Sequence, residues 1–178
     1  MTGILRLTKR LESPPVLPAT PAGYAIRTFR EAGDISGWLK LRDRSFARQR
    51  ESLQSWTERD FDREFLDKPW WRPERMWLAE SLLPWFDPWR SEEHPAGEIV
   101  GAVALGERPT PEGPLAIVHW LMVAPRARRG GLARALMAHL ERAAWDGGAR
   151  EVGLETLRSW EAAVELYRGM GYGDKPTL

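Results

Sequence analysis

The residues best suited to chemistry lie at one junction, VAPRARRGGLARALMAHL, residues 123–140. An apolar run from Ala116 to Ala124 stops at Pro125, Gly130 and Gly131 follow, and Leu132, Ala135, Leu136, Leu140 and Ala143 then recur at helical spacing. A strand that ends in a glycine turn and feeds a helix makes an anion site. The first N–H groups of the helix have no intrahelical partner, the helix dipole adds about half a positive charge, and glycine lets the backbone approach a phosphate. Arg126, Arg128, Arg129 and Arg134 add fixed positive charge around the turn.

Two familiar phosphate motifs are excluded, because the chain contains neither G-x-x-x-x-G-K-[ST] nor G-x-G-x-x-G. Cysteine is absent, which removes disulfides, thiolate metal sites and a cysteine nucleophile together. The three histidines, His94, His119 and His139, are too dispersed for a zinc spacing, so no metal is expected.

What remains is Arg128-x-x-Gly131-x-Ala133, which resembles the acyl-CoA pyrophosphate loop of the GNAT acetyltransferase family, R/Q-x-x-G-x-G/A. The context strengthens the likeness. The strand residues Leu121-Met122-Val123 precede the loop; a second strand, Glu151 to Thr156, a leucine–tyrosine pair, Leu166-Tyr167, and a glycine–aromatic pair, Gly171-Tyr172, follow in the family's order. The strict resemblance covers about residues 98–173, and the helical N-terminal half agrees in layout only.

The resemblance implies a mixed, mostly antiparallel α/β sheet with helices on both faces and two central parallel strands that splay apart into a cleft. It implies acetyl-CoA as cosubstrate. The peptide groups of Leu121 and Val123, with Met122 between them, would meet the pantetheine arm. N–H groups from Arg129 through Gly130, Gly131, Leu132 and Ala133 to Arg134 would hold the pyrophosphate, with Arg126 or Arg128 reaching phosphate oxygens. The implied reaction is direct transfer of an acetyl group to an amine, which needs a neutral amine and a proton for the departing thiolate. Tyr167 stands where the family's tyrosine commonly protonates the sulfur; its alternative is a core residue on a helix face.

His119 is the first candidate for the base. Strand alternation puts it on the side of Leu121 and Val123, and an imidazole with an ordinary pKa of about 6.5 suits proton removal near neutrality. Its place is similar to that of a histidine in the arylalkylamine branch of the family, while a hydrogen-bonded structural histidine is the other reading. Glu155, or a carboxylate acting through water, stands second. One position departs from the pattern: Trp160 occupies the place of an asparagine common in the family, three residues before Ala163.

The elements that must position these groups fit one domain, residues 23–178, preceded by a proline-rich arm over 1–22 that carries Pro14, Pro15, Pro18 and Pro21. Strands are expected at Tyr24–Phe29, Arg75–Ser81 and Glu98–Gly106, and helices after Asp34, after Thr57 and before Gly171. Six of the ten tryptophans fall between Trp56 and Trp89, and Trp85, Phe86 and Trp89 sit in a long loop over residues 82–97, expected to serve specificity, a dimer contact or simple packing.

With 43% hydrophobic and 29% charged residues the chain has a globular composition, and no run approaches a membrane span. A cytoplasmic protein without membrane or nucleic-acid partners is expected, since 26 basic residues nearly cancel 25 acidic ones. The acceptor is expected to be a small-molecule or peptide amine. The short stretch after Gly171 leaves a sheet edge that a second copy could cover, which points to a homodimer. A non-catalytic acyl-CoA-binding or interaction module on the same fold is the alternative to an enzyme.

Overall fold

A computed structural model describes residues 3–30, 33–47, 54–88 and 91–174. Leu5 and Leu7 alternate with exposed Ile4 and Arg6, and this period of two forms β1 (Ile4–Arg10). The stretch is therefore not part of an arm, as the nearby prolines had suggested. It pairs antiparallel along its whole length with a late strand, from Ile4 opposite Leu157 to Arg10 opposite Glu151. The prolines begin only at Pro14, and residues 11–22 carry no regular element.

β2 (Tyr24–Thr28) leads into α1 (Gly33–Ser45), whose entry is fixed by Asp34. The Asp34 carboxylate accepts from the Arg30 N–H and, through both oxygens, from the Arg27 guanidinium, which also reaches Glu80. The box at Thr57 forms as its spacing predicts: the Thr57 hydroxyl takes the Asp60 N–H and the Asp60 carboxylate takes the Thr57 N–H. It opens α2 (Glu58–Phe61), which continues as a wide π-turn over Asp62–Leu66.

β3 (Met76–Ser81) follows, and the expected aromatic loop turns out to hold a small antiparallel ribbon, β4 (Trp85–Asp87) and β5 (Glu92–His94). Trp89, expected in that loop, lies outside the described residues. β6 (Ile99–Arg108) and β7 (Leu115–Val123) form the centre of the sheet. After a short 3-10 turn at Pro125–Ala127 come α3 (Leu132–Asp146), β8 (Glu151–Leu157), α4 (Glu161–Arg168) and the two-residue β9 (Gly173–Asp174).

The seven-stranded sheet runs β2-β3-β6-β7-β8-β1-β9. All its pairs are antiparallel except β7 with β8. Helices cover both faces. A Cβ at Gly101 would meet Leu136 of α3 at 3.0 Å, whereas one at Gly106 would meet Trp70 at 3.4 Å. Those two positions of β6 are an odd number apart and so face opposite sides.

The core under α3 is aliphatic, with Leu132, Leu136, Met137 and Leu140 almost completely buried against the sheet. The opposite face is aromatic. Trp38 of α1, fully buried, packs edge-on against Phe61, Phe65 and Trp120, and stacks on Trp56. Truncation of a large buried aromatic costs about 3–5 kcal/mol, so Trp38→Ala would remove a substantial part of a domain's stability.

Candidate functional site

β7 and β8 pair only at Ala116 with Val152 and Ile117 with Gly153. Beyond that point β7 runs on to Val123 and β8 to Leu157 without pairing to each other, so the two central strands part into a cleft. On its outer side β7 stays bonded to β6, but with one irregularity. His119 pairs with Ala104 and Met122 with Ala102, leaving Trp120 and Leu121 together opposite Val103. This is a β-bulge, and Trp120 takes φ +52° to make it.

The bulge corrects the alternation expected for β7. Ala102 and Ala104 share a face of β6, so their partners Met122 and His119 share a face too, and His119 does not align with Leu121 and Val123. That face is the aromatic one: the His119 ring lies edge-on to Phe65 at 5.4 Å and to Trp70 at 5.5 Å. The Trp120 ring turns to the same side and meets Trp38, Trp56 and Phe46.

Glu64, on the π-turn, closes this group. Trp120 Nε1 donates to Glu64 Oε1 at 2.9 Å, and His119 Nε2 lies 2.9 Å from the same oxygen. Burial pushes the Glu64 pKa up, but the contacts from His119 and Trp120 outweigh it and hold the carboxyl below its ordinary value. Glu64 therefore stays ionised at neutral pH. Nothing in the local sequence signals it, because the segment carrying Glu64 is far from β7 in the chain.

Arg42 of α1 completes the aromatic side. Its guanidinium lies 4.3 Å from the Trp56 ring centre and 5.6 Å from that of Trp120, and its Nη1 donates to the Gln54 carbonyl. Only 2% of Arg42 is exposed, and this burial lowers its pKa from the usual guanidinium value. Phe46, at the end of α1, meets Trp160 from the far side of the cleft at 5.4 Å.

At the mouth of the cleft the loop has the geometry its residues suggest. Gly131 stands as the N-cap of α3 at φ +85°, a left-handed conformation natural to glycine, and makes no side-chain cap. The Gly131 carbonyl accepts from the Ala135 N–H, which leaves the first N–H groups of the helix outside the intrahelical ladder. Arg129 and Gly130 are exposed beside them, Arg129 at φ +67°.

The arginines divide differently from the sequence expectation. Arg128 Nε donates to the Val123 carbonyl at 2.9 Å and its Nη2 to the Ser45 carbonyl, bracing the loop against β7 and α1. Arg134 donates to the Gly169 carbonyl beyond α4. The Arg126 guanidinium carbon lies 3.9 Å from the Trp85 ring centre, with Glu98 at 3.8 Å, and burial lowers its pKa. Of the four, Arg129 makes no hydrogen bond or ion pair with a described residue, which makes it the free cation beside the glycines.

Glu98 gathers the β4–β5 ribbon onto this loop. It accepts from Arg44, from Trp85 Nε1 and from His94 Nδ1, and the His94 ring stacks on Trp85 at 4.0 Å. His94 is thus a buried member of a packing network. Glu155, the second candidate base, is held between Arg6 at 2.9 Å and Arg108 at 3.1 Å, away from His119.

Tyr167 of α4 is 7% exposed and packs edge-on to Tyr172. Burial raises the pKa of its hydroxyl above that of a free phenol, so the group carries its proton throughout the neutral range. Among the described residues there is no cluster of side chains fit to hold a metal ion, and no helix is long and apolar enough to cross a membrane.

The profile of the Acetyltransferase (GNAT) family matches residues 50–172. The chain is 32% identical over 174 residues to a mycothiol acetyltransferase of Thermobispora bispora, covering 94% of this chain and 52% of that protein. It is 31% identical to the mycothiol acetyltransferase of Acidothermus cellulolyticus, covering 89% of this chain and 47% of that one. The chain spans about half the length of these curated relatives. Among solved structures, a GCN5-related N-acetyltransferase from Sphaerobacter thermophilus superposes with a TM-score of 0.70 at 24% identity, over 97% of this chain and 48% of that one. An aminoglycoside N-acetyltransferase in complex with CoA gives 0.59 at 16% identity, over 92% and 95% of the two chains.

Proposed function

Because the chain belongs to the GNAT acetyltransferase family, we propose that it transfers an acetyl group from acetyl-CoA to the amine of a small-molecule acceptor. The observation that carries this reading is the parting of β7 from β8 directly in front of the α3 N-terminus, with Gly131 left-handed at the turn. A pantetheine arm fits a gap between strands because it is itself a chain of amides able to meet unpaired strand edges. The residues present suit acetyl-CoA. N–H groups from Arg129 to Arg134 would receive its pyrophosphate with Arg129 as the near cation, and Leu121, Met122 and Val123 would line its arm.

Acetyl-CoA supplies the activated thioester. His119 takes a proton from the acceptor's ammonium, and the free amine attacks the carbonyl carbon to form the C–N bond. The C–S bond then breaks and Tyr167 gives its proton to the thiolate, regaining one from the nitrogen as the amide forms. The proton on His119 returns to water, so one proton is released per transfer. The mycothiol acetyltransferase relatives and the aminoglycoside enzyme support a small polar amine as acceptor, and the aromatic wall adds an apolar contact for its body.

Thermal unfolding with and without acetyl-CoA tests the cofactor half without knowledge of the acceptor, and CoA release across a panel of amines tests transfer. A clear stabilisation and release with at least one amine are expected. Stabilisation without any release supports the second reading, an acyl-CoA-binding module, which Trp160 packed on Phe46 in place of a polar contact favours. No stabilisation at millimolar acetyl-CoA overturns both.

A further inference from the structure

The bulge in β7 delivers two consecutive side chains, His119 and Trp120, to one carboxylate. We propose that Glu64 is the positioning residue of proton removal, holding His119 by Nε2 so that Nδ1 is the nitrogen that receives the acceptor's proton. This rests on the amine-transfer reading for its role, but the arrangement itself can be tested apart from it.

Nε2 is sealed from solvent and 2.9 Å from Glu64 Oε1. A lone pair facing an ionised carboxylate at that distance would be repelled, so Nε2 must carry the hydrogen, and the free lone pair is then on Nδ1. The contact is electrostatic more than a well-aimed hydrogen bond. Nε2 makes no aligned bond to a described residue, and the oxygen it faces already receives the Trp120 indole N–H. The Trp120 N–H pins Glu64 Oε1 beside Nε2, and this favours one tautomer of the imidazole.

The surroundings set the balance of charge. Glu64 on the π-turn is the anion facing His119; Lys68, just after that turn, acts on Glu64; and Arg42 of α1 lies over Trp56 and Trp120. Glu64 is thus the anion set against the His119 ring, which otherwise lies among Phe65, Trp70 and Trp120. No sequence motif announces this carboxylate.

The test is an NMR titration of the imidazole side chains in the full chain, with the His119 resonances identified by their loss in His119→Gln. Expected in the native protein is an Nε2–H tautomer and a midpoint at least about one pH unit above that in Glu64→Gln, the size of effect an opposite charge exerts within ~4–6 Å. An equal midpoint and an unchanged tautomer in Glu64→Gln overturn the proposal. Should that variant not fold, Glu64→Asp retracts the charge by one methylene, and an unmoved midpoint there overturns it as well. With an acceptor in hand, the acid limb of kcat/KM should move down by the same amount in Glu64→Gln while stabilisation by acetyl-CoA is unchanged. Failure of the amine-transfer reading would appear as absent CoA release in the native protein with the His119 titration still displaced by Glu64.

Discussion

The two walls of the cleft are built on different principles. The wall proposed for acetyl-CoA is made by one continuous stretch, β7 through the loop into α3, and most of what it offers a ligand is backbone: exposed strand edges and the first N–H groups of a helix. The wall proposed for the acceptor is made of side chains from four separated segments, Arg42 of α1 with Phe46 just after it, Trp56 with Glu64, the bulged pair His119 and Trp120, and Trp160. A backbone site tolerates many side chains and preserves one ligand, whereas a side-chain site changes its ligand with every substitution. This is the physical reason one fold can keep a single acyl donor while the acceptor varies.

That division can be broken at either wall, and the largest effect is expected where the walls meet. Tyr167→Phe removes the hydroxyl proposed to protonate the thiolate, and transfer should fall by about 10²–10⁴-fold, the usual worth of a positioned acid. Stabilisation by acetyl-CoA should persist. A joint loss of both, measured by CoA release and by unfolding temperature, would reassign Tyr167 to packing.

Gly131→Glu strikes the proposed cofactor wall alone, placing a side chain at φ +85° and a negative charge where the pyrophosphate is proposed to sit. The native protein at 100 times the dissociation constant should gain ~2.7 kcal/mol, roughly 5–10 °C for a chain this size. The variant should gain nothing. A retained shift would move the pyrophosphate elsewhere.

Trp160→Ala acts on the acceptor wall. It loses an aromatic pair with Phe46 worth ~0.5–1.5 kcal/mol beyond area. The unfolding temperature should drop by a few degrees, the KM of the acceptor should change, and the acetyl-CoA shift should stay. A reduced acetyl-CoA shift would show that Trp160 contacts the pantetheine arm.

The smallest effect concerns the ribbon. Burial raises the pKa of Glu98, yet Trp85, Arg44 and His94 hold it below the ordinary carboxylate value. Its folded pKa is thus depressed, and its contribution is full above the unfolded value near 4.5 and lost as pH falls below it. Unfolding temperatures recorded from pH 7 to 3 should decline less steeply on the acid side for Glu98→Gln than for the native chain. Parallel curves would remove Glu98 from the anchoring of the ribbon.

The loop and α3 were legible because their signals are local. A glycine at a left-handed cap, an apolar strand before it and a helical period after it all sit within a few turns of chain, while the mixed sheet came from the family resemblance those residues carry. The acceptor wall was not legible for the converse reason. Glu64 meets His119 only through the fold, and the bulge at Trp120 has no sequence signature, so simple alternation assigned His119 to the wrong company. The arginines were misread more mildly: charge is visible in a sequence, but whether a guanidinium faces a ligand or a neighbouring carbonyl is not. The strand at Ile4–Arg10 was hidden by the prolines that follow it, although Leu5 and Leu7 carried the period of two.

That strand also bears on how the molecule comes into being. β1 lies between β8 and β9, so residues near the start of the chain find their sheet partners only among the last elements described, Arg6 meeting Glu155 across 149 positions. Of the described strands β1 is made first and waits longest, its edges open until residues 151–174 follow. Loops of that length close late and slowly. This side of the sheet is therefore completed around the earliest-made of these strands, and any chaperone that acts on it has its longest task in shielding Leu5 and Leu7.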